Sequence, residues 1–184
     1  ISASSPFLNN KLTANHSQRW IQFPKTPSEV PFFQDHEHYI GWIQQNIEKG
    51  NMQNIRHFWS SIRPNGPRRP YVLDRLELRI CDYLPDIDLL LAITALLELR
   101  VIYLFENMEN LDPLTNCSFS MNELSKICNH NEMKAAQNSL DAELINWRDG
   151  KTVLCRDWIK DLLSELSTME SKLNLNNLLQ PIYK

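Results

Sequence analysis

The sequence predicts an α+β fold that is rich in helix, and three stretches carry this prediction. Leu73–Asp82 alternates between apolar and polar residues, which is typical of a strand with one buried face. Leu89–Leu97 contains no charged residue and follows Pro85, which indicates a buried helix with the proline in its first turn. Asp157–Leu173 repeats apolar residues at helical spacing and predicts an amphipathic helix.

Composition narrows the class of protein. At 184 residues the chain is long enough for one domain with a core. Nineteen basic and 22 acidic residues give a net charge of −3, so we expect no nucleic-acid partner. The four glycines form no phosphate-binding loop, and the four cysteines form no CxxC pair, which favours a reduced, cytoplasmic protein. Leu89–Leu97 is too short to span a bilayer, which needs about 20 apolar residues.

Upstream of the central strand, local signals predict a polar loop and two packed segments. Ile1–Thr13 combines Ser, Pro and Asn residues and reads as a surface loop or as a loop that contacts substrate. Asp35–Lys49 predicts a helix that Asp35 caps and Gly50 ends. Ile55–Ile62 predicts a second, shorter packed segment.

Downstream, the charge-free segment extends to a predicted helix over 85–105, which we expect to pack on the apolar face of the central strand. Asn107–Ser118 predicts a loop. Ser120 and Glu123 form a capping-box pattern that opens a helix through Cys128, and a further helix is expected over 132–140. A hairpin near 144–154 would turn at Asp149-Gly150. The tail after Asn174 carries no clear signal.

The polar face of the central strand carries the residues that are suited to binding a metal ion or a phosphate. Glu77 and Arg79 are two residues apart, so their side chains share a face. Such a pair is either a partly exposed ion pair or part of a phosphoryl-transfer site, in which the carboxylate binds Mg²⁺ and the guanidinium stabilises phosphate oxygens. Arg63 and the neighbouring Arg68 and Arg69 would add positive charge for a nucleotide.

Three ordered stretches resemble the glutamate–cysteine ligase superfamily and its carboxylate–amine ligase relatives, most closely the cyanobacterial branch. LELRICD, at positions 76–82, matches the family's E-x-R strand. SASSPFLNNKLT, followed by HSQRW, resembles its substrate loop. NEMKAAQNSLDAELINWRDG, at 131–150, resembles its helix and following hairpin. The resemblance covers nearly the whole chain.

The resemblance implies the C-terminal part of a glutamine-synthetase-like antiparallel sheet packed by helices. It also implies ATP- and Mg²⁺-dependent ligation of the γ-carboxylate of L-glutamate to L-cysteine through a γ-glutamyl phosphate, the first step of glutathione synthesis. Glu77 would bind Mg²⁺, and Arg79, with Arg63 beside it, would contact the nucleotide phosphates. The expected substrate-binding residues are Arg19, Ser5, Asn10 and Lys11.

The chain would then be the C-terminal portion of one catalytic domain, with the substrate loop and central strand in 1–82 and a helical part in 85–184. We expect the N-terminal half of the same polypeptide to supply the remaining metal ligands, and this portion to be inactive alone. Departures from the family pattern, such as Asn10 and Ala14 in place of glycines and Lys134 in place of arginine, leave the acceptor amine open.

Three alternatives remain from the residues. The first is a ligase that joins glutamate to another amine. The second is a non-catalytic module that binds an anion or nucleic acid through Arg63–Arg79. The third is a helical interaction domain that uses the apolar stripe of Trp158–Leu173, an interpretation that full burial of the stripe within a monomer would remove.

Overall fold

A computed structural model describes residues 7–8, 11–12, 31–53, 62–63, 77–78, 84–173, 175 and 177–183. Its elements in chain order are β1 (Phe7–Leu8), β2 (Lys11–Leu12), α1 (His36–Glu48), β3 (Ile62–Arg63), β4 (Glu77–Leu78), α2 (Ile87–Glu106), α3 (Met108–Leu111), α4 (Pro113–Asn116), α5 (Met121–Asn138), a 3-10 turn (Ser139–Asp141), β5 (Glu143–Ile145), β6 (Thr152–Leu154), α6 (Cys155–Lys172) and α7 (Gln180–Tyr183). The strands form three antiparallel pairs, β1–β2, β3–β4 and β5–β6. The described residues therefore form a helix-rich α+β structure.

Helix α1 organises a small core of its own. The Asp35 side chain accepts a hydrogen bond from the backbone N–H of His38, as a helix cap does, and Gly50 follows the helix with φ +73°. Tyr39, Ile43 and Met52 are buried, and Phe33, Ile40 and Trp42 pack around them. The prediction of this helix and of both its ends is confirmed. The packed segment predicted over 55–62 lies almost wholly outside the described residues.

Helix α2 runs through the larger core. Asp86 caps it by accepting from the backbone N–H of Leu89, so Pro85 precedes the helix and the prediction that it occupies the first turn is wrong. One face, with Leu96 and Leu99, is buried against α6 and α7. The other face keeps large apolar side chains exposed: Ile87, Leu90, Leu91, Leu104 and Phe105. The charge-free segment is therefore buried on one face only. The expected packing of this helix on the central strand involves residues that the structure does not describe, and it stays a prediction.

Helix α5 is a single helix where the sequence predicted two. The capping box at its start is complete, since Ser120 and Glu123 exchange backbone and side-chain hydrogen bonds. Asn131, in the middle third of the helix, holds strand β5: its Nδ2 donates to the carbonyl of Ile145, and its Oδ1 accepts from the N–H of Ile145, both at 2.8 Å. The predicted loop over 107–118 is also wrong in detail, because it contains the one-turn helices α3 and α4.

The hairpin β5–β6 and helix α6 agree with the sequence. Leu144 lies opposite Val153, and the turn contains Gly150 with φ +73°. The positive φ of Gly150 favours glycine, and a Cβ there would also meet the tip of the Phe119 ring at 2.9 Å, so the ring would have to shift. In α6 the stripe side chains Ile159, Leu163, Leu166 and Met169 are buried within the chain, whereas Leu173 is 45% exposed. The stripe is therefore mostly but not fully buried, and the interaction-domain alternative stays open.

A short C-terminal segment completes the larger core. Leu179 is fully buried, and Leu175, Leu178 and Ile182 pack against the same cluster. The tail had given no sequence signal because α7 is only 4 residues long, too short to show a period. Within the described parts of the chain, no helix has both the length and the apolar character needed to cross a membrane.

Candidate functional site

The antiparallel pair β3–β4 places two of the predicted site residues opposite each other. Arg63 in β3 faces Glu77 in β4, and Ile62 faces Leu78. Residues that oppose one another in an antiparallel ladder are close neighbours across the two strands. Glu77 is half-buried. The register therefore brings together a predicted metal ligand and a predicted nucleotide-binding arginine that lie fourteen positions apart in the sequence.

The structure tests few of the other predicted site residues. Lys11 lies in β2, paired with Leu8 of β1, so the predicted substrate loop contains a short hairpin. Ser5, Asn10, Arg19 and Arg79 lie outside the described residues, and their predicted roles stay predictions.

A magnesium site needs several oxygen ligands, and Mg²⁺ usually takes one or two carboxylates together with phosphates and water. Glu77 supplies one half-buried carboxylate. Within the part of the chain that the structure describes, no group of three or more His, Cys, Asp or Glu side chains is placed to hold a metal. The described residues therefore supply one protein ligand for Mg²⁺ and do not form a complete magnesium site.

A second polar cluster, formed by Arg100, Arg148 and Glu165, was not predicted from the sequence. Arg100 of α2 donates from Nη1 to Glu165 Oε2 at 2.8 Å, and Arg148 donates from Nη1 to Glu165 Oε1 at 3.4 Å. The side chains are 21%, 43% and 27% exposed for Arg100, Arg148 and Glu165 respectively. One carboxylate is shared between two guanidinium groups, so the cluster carries one surplus positive charge.

The turn of the hairpin positions Arg148. The Asn146 side chain accepts from the backbone N–H of Arg148, and the backbone N–H of Gly150 donates to the carbonyl of Asn146 at 2.8 Å. The Arg148 guanidinium lies 5.2 Å from the centre of the Trp147 ring, within the range of a cation–π contact. A polar pocket of about 180 Å³, which we call the arginine pocket, is bordered by Arg100, Asn146, Trp147, Arg148, Trp158 and Glu165.

A larger, mostly apolar cavity of about 590 Å³ lies against the same tryptophans. Leu124, Ile127 and Cys128 contribute one face of α5, since they are spaced by three and four residues. Leu144 of β5 and Phe32, which precedes α1, also line it. Cavities of this size and character are typical of small-molecule sites. We call it the apolar cavity.

Cys128 has a shielded thiol in the wall of the apolar cavity. Burial, and to a smaller extent the nearby charge of Glu132, raises the pKa of the Cys128 thiol to about 11. Cys128 keeps exposed surface where it lines the apolar cavity. A raised pKa lowers the fraction of thiolate at neutral pH and so weakens this thiol as a nucleophile.

Comparison with known proteins covers the full chain. The profile of glutamate–cysteine ligase family 2 matches residues 1–184. The protein named "Putative glutamate--cysteine ligase 2" of the cyanobacterium Gloeobacter violaceus is 29% identical over 187 residues, which cover 99% of this chain and 46% of that protein. The "Putative glutamate--cysteine ligase 2-2" of Legionella pneumophila strain Corby is 25% identical over 188 residues, covering 100% and 47%. The "Putative glutamate--cysteine ligase 2" of Solibacter usitatus is 28% identical over 175 residues.

The chain spans about half the length of these curated relatives. The match over the full 184 residues confirms the resemblance drawn from the E-x-R strand, the substrate loop and the helix with its hairpin. The chain belongs to glutamate–cysteine ligase family 2.

Proposed function

We propose that this chain forms part of the active site of an ATP-dependent ligase that joins the γ-carboxylate of L-glutamate to the amine of L-cysteine. The observation that carries the proposal is the register of β3–β4, which sets Arg63 opposite Glu77 within a chain of this ligase family. In the proposed site, the carboxylate of Glu77 binds the metal ion and the arginine on the paired strand binds phosphate oxygens.

The proposed reaction has two steps. The γ-carboxylate of glutamate attacks the γ-phosphorus of ATP, and ADP leaves with the electrons of the broken P–O bond. The cysteine amine then attacks the γ-glutamyl phosphate, loses a proton and displaces inorganic phosphate. Mg²⁺, when bound, would neutralise phosphate charge and so favour the first step.

The residues of this chain would bind and orient the reactants. Glu77 contributes one oxygen ligand to the metal, and Arg79 and Arg63 stabilise the negative charge on the phosphates. Arg19 pairs with a substrate carboxylate, and Ser5, Asn10 and Lys11 line the substrate loop. Since Glu77 alone does not complete a metal site, we propose that the other half of the ligase domain supplies further acidic ligands and that the 184-residue chain is inactive alone.

The test is ADP release from ATP, glutamate and cysteine by a polypeptide that contains this chain and has the length of the relatives. We expect Glu77→Gln to lower kcat at least 100-fold, the loss typical of removing a transition-state contact. Glu143→Gln, the same change at an exposed position of strand β5, is the matched control and should leave kcat unchanged. Equal activity of both variants would refute the role of Glu77. Activity of the 184-residue chain alone would refute its dependence on further residues.

A ligase that uses another acceptor amine is the second candidate. By the resemblance to the family's motifs, Asn10 and Ala14 stand at positions expected to be glycine in the substrate loop, and Lys134 stands at a position expected to be arginine. Because only the second step involves the amine, the same assay with a panel of amines separates the two candidates. Faster turnover with another amine than with cysteine would favour the second.

A further inference from the structure

The apolar cavity has acidic side chains in its wall and, among the described residues that line it, no basic one. Asp112 and Glu132 both line the cavity, and both are half-buried. Helix α5 forms one wall, yet its basic residues Lys126, His130 and Lys134 do not line the cavity. The charges in the wall therefore attract a cation into this space and repel an anion.

Glu132 continues the face of α5 that lines the cavity. It lies one helical turn after Cys128 and two turns after Leu124, so the three side chains share that face. Its charge contributes to the raised pKa of the Cys128 thiol, which places the carboxylate within electrostatic reach of the cavity wall. A carboxylate has about four acceptor sites, so contacts within the protein leave others for a ligand. Glu132 is therefore placed to accept hydrogen bonds from an ammonium group in the cavity.

Asp112 adds a second negative charge at a position that the backbone fixes. Its Oδ1 accepts a hydrogen bond from the N–H of Leu114, at 3.0 Å, where helix α4 begins. Apolar surroundings screen a charge less than water does, so half-buried carboxylates attract a cation more strongly than exposed ones. The two acids therefore favour one positively charged group on the ligand.

The arginine pocket does not reverse this preference. Arg100 and Arg148 share Glu165, so their cluster carries one surplus positive charge against the two negative charges of Asp112 and Glu132. Neither arginine lines the apolar cavity. The cavity wall itself therefore remains attractive to cations.

The rest of the lining suits an aromatic ring. Trp147, Trp158 and Phe32 line the cavity, and Leu124 and Leu144 add aliphatic surface. Aromatic rings attract one another in offset and edge-to-face arrangements, and an indole face also attracts a cation. A ligand that joins a ring to a cationic group therefore matches both the apolar and the charged parts of the wall.

We propose that the apolar cavity binds a small aromatic primary ammonium ion, with its ring against Trp147, Trp158 and Leu124 and its ammonium group against Glu132. The volume of about 590 Å³ lies within the range of small-molecule sites. The ammonium group donates hydrogen bonds to the carboxylate, and the ring leaves water for carbon surface. None of the residues assigned to ligation lines this cavity, so the site is independent of the proposed function.

The test is titration calorimetry of the 184-residue chain at neutral pH with three probes that share an indole ring. Tryptamine carries a positive charge, tryptophol carries none, and indole-3-acetate carries a negative charge. Tryptamine should bind tightest and indole-3-acetate weakest. Glu132→Gln should weaken tryptamine binding roughly 10-fold, the loss expected for one charge-assisted hydrogen bond. The same variant should bind tryptophol unchanged, which shows that its cavity is intact.

Glu143→Gln is the matched control, because it makes the same change of side chain and charge. Glu143 is exposed and does not line the cavity, since it precedes the lining residue Leu144 in β5 and neighbouring side chains of a strand point to opposite faces. Its removal should leave tryptamine binding unchanged. Leu124→Trp, which fills the cavity, should remove the binding of both tryptamine and tryptophol while circular dichroism shows the helices retained.

The same titration separates a small ligand from a protein segment as the occupant. A polypeptide that contains this chain and has the length of the relatives should bind tryptamine as tightly as the 184-residue chain does. Binding by the shorter chain alone would show that the added residues fill the cavity. Weaker binding at higher chain concentration would show that a second copy fills it. Either result would overturn the proposal.

Three further results would also overturn it. The first is no tryptamine binding at millimolar concentration, and the second is tryptophol or indole-3-acetate binding as tightly as tryptamine. The third is a tryptamine affinity that is the same in Glu132→Gln and Glu143→Gln, or that survives Leu124→Trp.

Discussion

The hydrogen bonds between Asn131 and Ile145 allow a quantitative prediction about stability. Asn131→Ala removes the donor and the acceptor that pair with the Ile145 backbone, at 2.8 Å each, and leaves both backbone groups unpaired at a partly buried position. An unsatisfied buried polar group costs about 1–3 kcal/mol. Water reaches the site in part, so we expect a total loss of about 2–4 kcal/mol. For a chain of this size, that loss lowers Tm by roughly 4–16 °C.

The assay is urea unfolding followed by circular dichroism. Asn122→Ala, at an exposed position of the same helix, is the control and should change the free energy of unfolding by no more than about 0.5 kcal/mol. Asn131→Asp keeps an acceptor for the Ile145 N–H and loses the donor, so its cost should lie between those of the two alanine variants. If Asn131→Ala and Asn122→Ala agree within about 0.5 kcal/mol, the contacts with Ile145 do not hold the hairpin on α5.

Three further measurements follow from the core, the cap and the shielded thiol. Leu99→Ala, at a fully buried position, should cost about 2–5 kcal/mol in urea unfolding, while Phe105→Ala, at a residue 73% exposed on the same helix, should cost far less; equal costs would contradict the assignment of the buried face. Ser120→Ala should cost about 0.5–2 kcal/mol and lower the helicity of the chain, and an unchanged free energy would rule out a stabilising capping box. Because the pKa of Cys128 is raised to about 11, its alkylation at pH 8 should be roughly 10-fold slower than that of free cysteine, after allowance for the higher nucleophilicity of a more basic thiolate, and should rise about tenfold per pH unit up to pH 10; a plateau near pH 9 would show an ordinary thiol.

Local signals predicted the ends of several elements correctly. Asp35 and Ser120 start helices because each side chain accepts a backbone hydrogen bond within its own first turn, and those residue types can be read from the sequence. Gly150 ends the turn of the hairpin for an equally local reason, its positive φ. Where the physical cause lies within about four residues, the sequence is sufficient.

Other features depend on partners that are distant in the sequence. The sequence predicted one helix through Cys128 and another over 132–140, but the structure has one helix, in which the Asn131 amide binds strand β5. Arg100 and Arg148 meet at Glu165 only because α2, the hairpin and α6 pack together. The spacing of these three residues in the sequence does not predict that they form a cluster.

The candidate ligation site depends partly on local sequence and partly on contacts that are distant in the sequence. Glu77 was selected from a local pattern that became specific only through the family resemblance. Its position opposite Arg63 depends on strand register, which the sequence did not specify. The structure therefore adds a neighbour to a residue already chosen, and it adds the arginine pocket and the apolar cavity, which had no sequence signal.

The packing of α2 on α6 and α7 has a consequence for synthesis in the cell. Leu99 and Leu179 share one core, although about 80 residues separate them. At roughly 5–20 residues per second, a ribosome needs roughly 4–16 s to make that interval. During this time α2, with its apolar residues, has left or is leaving the ribosome before its partners exist. The nascent chain should therefore depend on chaperones that shield apolar helices, and slow codons between the two leucines should increase its aggregation.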